Sequence, residues 1–257
     1  MKNNYLSVVI PAFNEKKRII PTLKKIRQYL ETQDVLYEII VVDDGSTDGM
    51  AAAIKKEPIG RQVRLLKNDT NRGKGYSVRK GILAARGEFI LFSDADLSTP
   101  IEEVEKLLQR LANGFDIAIG SRALAASKLV IRQSWCRETA GRTFNFLVQT
   151  LAFPGIKDTQ CGFKLFTRRA ARMIFNRQKF DGFGFDVEIL YLGKKLDFKI
   201  AEVPVRWLNS PGSKVNILRD STKMFLDLFR LRVNDLLGQY DHPFEPVPVG
   251  QESAVHI

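Results

Sequence analysis

Residues 91–100 read LFSDADLSTP, an apolar run that ends in two carboxylates, Asp94 and Asp96, with only Ala95 between them. Acids this close repel each other, and a divalent cation would hold them together. Mg2+ or Mn2+ takes oxygen ligands, commonly one or two carboxylates completed by phosphate oxygens of a substrate. In a continuing strand the two side chains would point to opposite faces. A metal site here therefore requires the chain to turn, and Ser98 could then add a hydroxyl or hold a water. The alternative is a solvated acidic loop.

Two further loops carry chemistry. DDGSTDG (43–49) offers Asp44 as an acceptor for a ribose or base, while Gly45 turns the chain and Ser46, Thr47 or Asp48 caps the next helix. NRGKGYSVRKG (71–81) sets Gly73 and Gly75 around Lys74 just before a helix. Backbone N–H groups and a cation can approach an anion closely in such a loop. Neither GxxxxGK[ST] nor GxGxxG occurs there, which removes the best evidence for a P-loop or dinucleotide fold.

Near-continuous apolar runs position these loops. LSVVIPA (6–12), YEIIVVDD (37–44), VRLLKN (63–68), EFILFSD (88–94) and FDIAIGSR (115–122) read as strands of a parallel sheet covered on both faces. Between them Ile19, Leu23, Ile26 and Leu30 make one helical stripe, and Ile101, Val104, Leu107, Leu108 and Leu111 another. Thr99, Pro100 and Glu102 predict a capping box at the start of the second. The region is α/β and doubly wound, with ligands expected at the carboxyl ends of the strands. Beyond residue 122 the pattern predicts one or two amphipathic helices in 123–153 and a loop entering a strand in KDTQCGFKLFTRR. A helix at FGFDVEILYLGKKL, a strand over 200–209 and an amphipathic helix over 219–237 follow, and the helical spacing of Leu226, Phe229 and Val233 in the last is expected to pack them at least partly against protein. Residues 239–257 read as a disordered tail.

Composition narrows the partners. The 257 residues carry 40 Lys and Arg against 29 Asp and Glu, a net charge of +11. That excess suits nucleic acid, phosphorylated small molecules or an acidic membrane surface, or serves solubility alone. Cys136 and Cys161 lack CxxC spacing, which suggests a reducing compartment. His242 and His256 sit in the tail. MKNNYLSVVIPAFNE enters a strand directly, and no run reaches the ~20 apolar residues of a spanning helix. A cytoplasmic chain, soluble or peripheral on a membrane, is expected.

PAFNE, VVDDGSTDG, NRGKG and DADLS, in this order and spacing, resemble family-2 glycosyltransferases of the GT-A (Rossmann-like) nucleotide-sugar-binding fold. GSR, RQSWCRETAGRTFN, DTQCGFKLF and EVPVRW are most similar to the polyprenyl-phosphate branch and its dolichyl-phosphate β-glucosyltransferases. The resemblance spans roughly 5–235. It implies a GT-A domain over 1–238, with a nucleotide-binding half (1–122) and an acceptor-binding, membrane-facing half (123–238). The implied donor contacts are Pro11, Ala12, Asn14, Glu15, Val42, Asp43, Asp44, Gly73, Lys74, Ala95 and Lys214. Asp94 and Asp96 would hold metal and diphosphate, with Ser98 where relatives often carry Gln.

The implied reaction is inverting, metal-dependent transfer of glucose from UDP-glucose to a polyprenyl phosphate, with GDP-mannose as the alternative donor. The anionic acceptor needs no strong base but must be held by cations. Arg122, Arg132, Arg137 and Arg142 are the candidates, because guanidinium forks fit phosphate oxygens, with Ser121 of GSR beside them. Any one of these arginines could instead lie on a solvated helix face. Asp158 is expected as a catalytic residue near the acceptor, and Asp186 and Glu188 as partners of the arginines or as helix-start acids. A family arginine is replaced by Asn209, for which Arg206 is the expected substitute. A nucleic-acid-binding protein is the alternative of another class, disfavoured because acidic strand ends repel phosphate. Homo-oligomerisation is possible.

Overall fold

The computed structural model describes residues 5–33, 35–57, 62–129, 135–208, 217–241 and 255–256. Its strands are β1 (Tyr5–Ala12), β2 (Leu36–Asp43), β3 (Val63–Lys67), β4 (Phe89–Ser93), β5 (Ile117–Ser121), β6 (Lys128–Leu129), β7 (Phe163–Thr167), β8 (Ile200–Pro204), β9 (Arg206–Trp207) and β10 (Val255–His256). The helices are α1 (Lys16–Glu31), α2 (Met50–Lys56), α3 (Lys74–Ala84), α4 (Val104–Ala112), α5 (Trp135–Leu151), α6 (Arg168–Phe175), α7 (Phe185–Lys195) and α8 (Ile217–Leu236).

The main sheet runs β10-β3-β2-β1-β4-β7-β5-β8, and β6 pairs with β9 in a small second sheet. β1 to β4 are mutually parallel, as the apolar runs predict, and β8 is parallel to β5. β7 runs antiparallel between β4 and β5, and β10 antiparallel on the edge of β3. The segments on either side of residue 122 thus share one sheet. Strand order reverses about β1, flanked by β2 and β4, and the carboxyl ends of strands at such a switch point are where open α/β sheets bind ligands.

Alternate strand residues feed two cores. Val8, Ile10, Ile39, Val41 and Leu91 pack under α1, α2 and α4 with Ile19, Leu23, Ile26, Leu30 and Leu107. Val9, Ile40, Val42, Ile90 and Phe92 pack under α3, α6 and α7. The period of two along a strand makes this division.

Three expectations are corrected. The capping box does not form: a single 3-10 turn, Ile101–Glu103, precedes α4 without a side-chain cap, and the Thr99 hydroxyl and the Cys161 thiol share a hydrogen bond at 3.7 Å. On α8 the buried face is Met224, Leu228 and Leu231, whereas Leu226, Phe229 and Val233, expected to pack at least partly inward, are exposed. The stretch from Gln239 begins with a docked residue. Tyr240 is buried, its hydroxyl donates to Glu188 Oε1 at 2.7 Å, and its carbonyl accepts from Arg177 Nε at 3.1 Å.

Candidate active site

The loops after β1 and β2 are stitched together by side-chain hydrogen bonds. Asn14 adopts a left-handed φ of 54° and accepts the Thr47 N–H at 2.8 Å, while its own N–H donates to Ser46 Oγ at 2.8 Å. Asp48 accepts from Lys16 N at 2.9 Å and from Met50 N at 3.0 Å, tying the starts of α1 and α2 together. Pro11 and Ala12 form the buried end of β1 opposite Val42 and Asp43, and Glu15 pairs with Arg18 at 3.5 Å. Val42 faces the core.

Asp43 and Asp44 have different surroundings. Both oxygens of Asp44 are committed to the next loop: Oδ1 accepts from Asn68 Nδ2 at 2.8 Å and Arg72 N at 2.9 Å, and Oδ2 from Gly73 N at 2.9 Å. Asp43 is fully buried; its Oδ1 takes the Ser46 N–H at 2.9 Å, and Oδ2 has no partner among the described residues. A buried unpaired acceptor costs free energy unless a ligand satisfies it.

Gly73 sits at φ 105°, and a Cβ there would lie 2.4 Å from the Asp181 carbonyl oxygen, so only glycine fits. This close approach fixes the first turn of α3. Lys74 Nζ then reaches Asp94 Oδ1 at 2.7 Å. Burial works against the Lys74 charge, but Asp94, Asp186 and Asp96 together raise its pKa above the usual lysine value.

At the acidic pair the chain does turn. β4 ends at Ser93, Leu97 N donates to the Asp94 carbonyl at 3.2 Å, and Leu97 takes φ 47°. The Ala95 carbonyl accepts from Thr22 Oγ1 at 2.7 Å, and Asp96 Oδ1 from Ser98 N at 2.9 Å. Gly162 closes the other side: a Cβ there would lie 1.9 Å from Asp94 Oδ2. The donor set at this turn is therefore carboxylate oxygen, suited to a hard cation. Among the described residues no third His, Cys, Asp or Glu completes a cluster. The remaining coordination positions would fall to phosphate oxygens and water, which fits Mg2+ or Mn2+.

Arg122 and Asp158 form a bidentate pair. Nε donates to Oδ2 at 2.7 Å and Nη2 to Oδ1 at 2.8 Å, while Arg122 N adds a bond to Oδ2 at 2.9 Å. The guanidinium lies 5.6 Å from the Trp207 ring centroid. Burial alone would raise the Asp158 carboxyl, but the guanidinium holds it below the usual carboxylate range. Asp158 is 7% exposed in its side chain and Arg122 28%, so the arginine is the member that meets solvent.

Other expected residues lie apart. Ser121 is fully buried, and its hydroxyl accepts from Ala123 N at 3.3 Å within a turn. Arg206, expected as a substitute for an arginine at Asn209, pairs with Glu103, with Glu102 at 3.8 Å. Arg132, Lys214 and Asn209 lie outside the described residues, as do the side chains of Arg137, Arg142 and Cys136. Cys161 is buried and burial pushes its thiol up to about 11, so it is inert.

Sequence reasoning missed Gly162, Trp207 and the role of Lys164. Lys164 is fully buried on β7, bound to Asp186 and to the Cys161 carbonyl at 2.7 Å. Its place inside the apolar FKLF run was the available signal, because a lysine in an inner strand must find a buried acid. Asp186 thus pairs with a lysine. Glu188 accepts from Lys179 N at 2.8 Å and Phe180 N at 2.9 Å, bracing the loop whose Asp181 carbonyl abuts Gly73.

The profile of glycosyl transferase family 2 matches residues 7–175. The chain belongs to this family. It is a glycosyltransferase, and its relatives are close: it is 43% identical over 250 residues to a dolichyl-phosphate β-glucosyltransferase of Dictyostelium discoideum, covering 92% of this chain and 76% of the relative. The human dolichyl-phosphate β-glucosyltransferase is 40% identical over 249 residues, covering 91% and 77%. Among solved structures, glucosyl-3-phosphoglycerate synthase of Mycobacterium tuberculosis, in complex with Mn2+, UDP and glucosyl-3-phosphoglycerate, superposes with a TM-score of 0.65 at 20% identity. That match covers 93% of this chain and 81% of the other. The fold of the enzyme is GT-A.

Proposed function

We propose that the enzyme transfers glucose from UDP-glucose to dolichyl or another polyprenyl phosphate, with inversion and with Mg2+ or Mn2+ at Asp94 and Asp96. The observation that carries this reading is the pairing of two unlike sites at one sheet edge. An acidic turn suits a cation-bound diphosphate, and Arg122, held by Asp158 and Trp207, lies close enough for Asp94 to act on its charge. The relatives' shared name supports glucose over mannose and a dolichyl phosphate acceptor, and the solved neighbour's Mn2+ and UDP support the donor and the metal.

Each residue then has a definable task. Asp43 Oδ2, buried and unpaired, accepts the imide N–H of the uracil ring. Asp44 does not touch the base but holds the 71–73 loop, and through it Lys74, in place. Asp94 and Asp96 would hold the cation, which when bound would supply positive charge against the departing diphosphate. Arg122 keeps N–H groups beyond the two it gives Asp158, and these take the acceptor phosphate. That phosphate is already ionised, so attack on the anomeric carbon, opposite the leaving diphosphate, requires no general base.

The acceptor places the enzyme at a bilayer surface. Among the described residues no helix is long and apolar enough to cross one. α8 instead exposes Leu226, Phe229, Val233 and Leu236, with Phe225 stacked edge-on to Phe229 at 5.0 Å, and carries basic Arg230 and Arg232. Such a face suits peripheral attachment to anionic lipid.

The test is incubation with dolichyl phosphate and labelled UDP-glucose, with Mn2+ or with EDTA, followed by lipid extraction. Labelled glucolipid is expected with metal only, and Asp96→Ala should abolish it while the protein stays folded. Full turnover in EDTA, or no lipid-linked label under any condition, refutes the reading.

A further inference from the structure

The acidic turn already has a cation. Lys74 Nζ is 2.7 Å from Asp94 Oδ1, and the pair is reachable from solvent, with side-chain exposures of 22% and 34%. Asp94 cannot retreat toward Gly162, whose backbone occupies that side. Of the other acids that act on Lys74, Asp186 has its own buried cation in Lys164, and Asp96 carries no ion pair among the described residues. Both ammonium groups stand near one ring, Lys74 at 5.3 Å and Lys164 at 5.6 Å from the Phe92 centroid. Lys74 and Lys164 thus answer three carboxylates, Asp94, Asp96 and Asp186, one positive charge short.

A divalent ion held by Asp94 and Asp96 would meet the ammonium at the same carboxylate. Like charges within a few ångströms, in a site only part-open to water, repel strongly. The ammonium must therefore move as the metal enters, and the donor's diphosphate is the anion that arrives there. We infer that Lys74 is a resident counter-ion of the acidic pair, displaced by the metal and passed to the donor diphosphate. This rests on the reading of Asp94 and Asp96 as metal ligands. It makes metal and nucleotide mutually dependent: without nucleotide, Lys74 competes with the metal, and with nucleotide it helps hold the complex. Such coupling is reciprocal.

The experiment is titration of Mn2+ into the nucleotide-free full chain, with unbound Mn2+ read by electron paramagnetic resonance. Lys74→Met should bind Mn2+ about tenfold tighter than wild type. Lys74→Gln, with a polar uncharged end, should do the same, and Lys74→Arg should keep wild-type affinity. In the first two variants UDP should tighten Mn2+ binding less than in wild type. Unchanged or weaker nucleotide-free binding in both neutral variants overturns the inference, reducing Lys74 to a donor contact. Metal that binds only with UDP present, in wild type and neutral variants alike, overturns it too. Asp96→Asn separates this from failure of the underlying reading: if that variant binds Mn2+ like wild type, the acidic turn is not the metal site at all.

Discussion

Asp158→Asn separates a residue that works on substrate from one that works on Arg122. In the structure four N–H groups converge on the two Asp158 oxygens: Arg122 N, Nε and Nη2, and Gln160 N at 3.2 Å. An asparagine keeps the shape but offers one acceptor oxygen, and its NH2 group faces N–H donors. The Arg122 charge loses its nearest counter-charge and keeps Trp207 and the more distant Asp94. Breaking a fully buried ion pair from one side costs about 3–5 kcal/mol. Since the arginine is partly solvated, about 2–3 kcal/mol is the expected loss here. For a chain of this size that corresponds to about 4–12 °C in Tm.

The assay is a double-mutant cycle of Asp158→Asn and Arg122→Met, read by thermal unfolding and by kcat/KM for the lipid phosphate at saturating donor. If Asp158 acts through Arg122, the double variant is no worse than the poorer single one, with a coupling energy above about 1 kcal/mol. Additive losses, or a fall in Asp158→Asn turnover with acceptor KM unchanged, would refute the positioning role and return Asp158 to direct contact with substrate.

Three further outcomes are expected. Gly162→Ala forces Asp94 aside, because its Cβ would lie 1.9 Å from Oδ2; transfer should fall at least about 100-fold with weakened Mn2+·UDP binding, checked by calorimetry beside a melting curve. Leu226→Glu with Phe229→Glu should abolish flotation with anionic liposomes and shift stability by no more than about 0.5 kcal/mol, since both side chains are exposed; a large drop in Tm would mean that this face packs on protein. Burial raises the Glu188 carboxyl from 4.5 to about 7, so between these values the folded state binds the extra proton. Stability should therefore fall as pH rises through that window, by about 3 kcal/mol in all. The wild-type minus Glu188→Gln difference in unfolding free energy tracks this, and a difference flat from pH 4.5 to 8 would contradict it.

Much of the fold was legible because it is written locally. β2 to β5 each end where the apolar run meets Gly, Asn, Asp or Ser, and the turn chemistry of those residues acts within a few positions. The spacing of Ile19, Leu23, Ile26 and Leu30 names the buried face of α1 directly, and all four are buried. The same logic failed on α8, where Met224, Phe225, Leu226, Leu228, Phe229, Leu231 and Val233 leave no single apolar stripe. Only packing against the rest of the molecule selects which of them faces inward.

By itself the sequence determined the parallel β1–β4 core, the row of loops at one edge, and the acidic pair that raises the question of a cation. The tertiary structure decided who answers whom. An apolar run reads the same in either direction, so the antiparallel insertion of β7 was invisible, and with it the burial of Lys164 against Asp186. The pairing of Arg122 with Asp158, of Lys74 with Asp94, and of Gly162 with that same carboxylate joins residues far apart in the chain. Charge and hydrogen-bond complementarity act through space, over a few ångströms, and only the folded sheet brings those partners within reach.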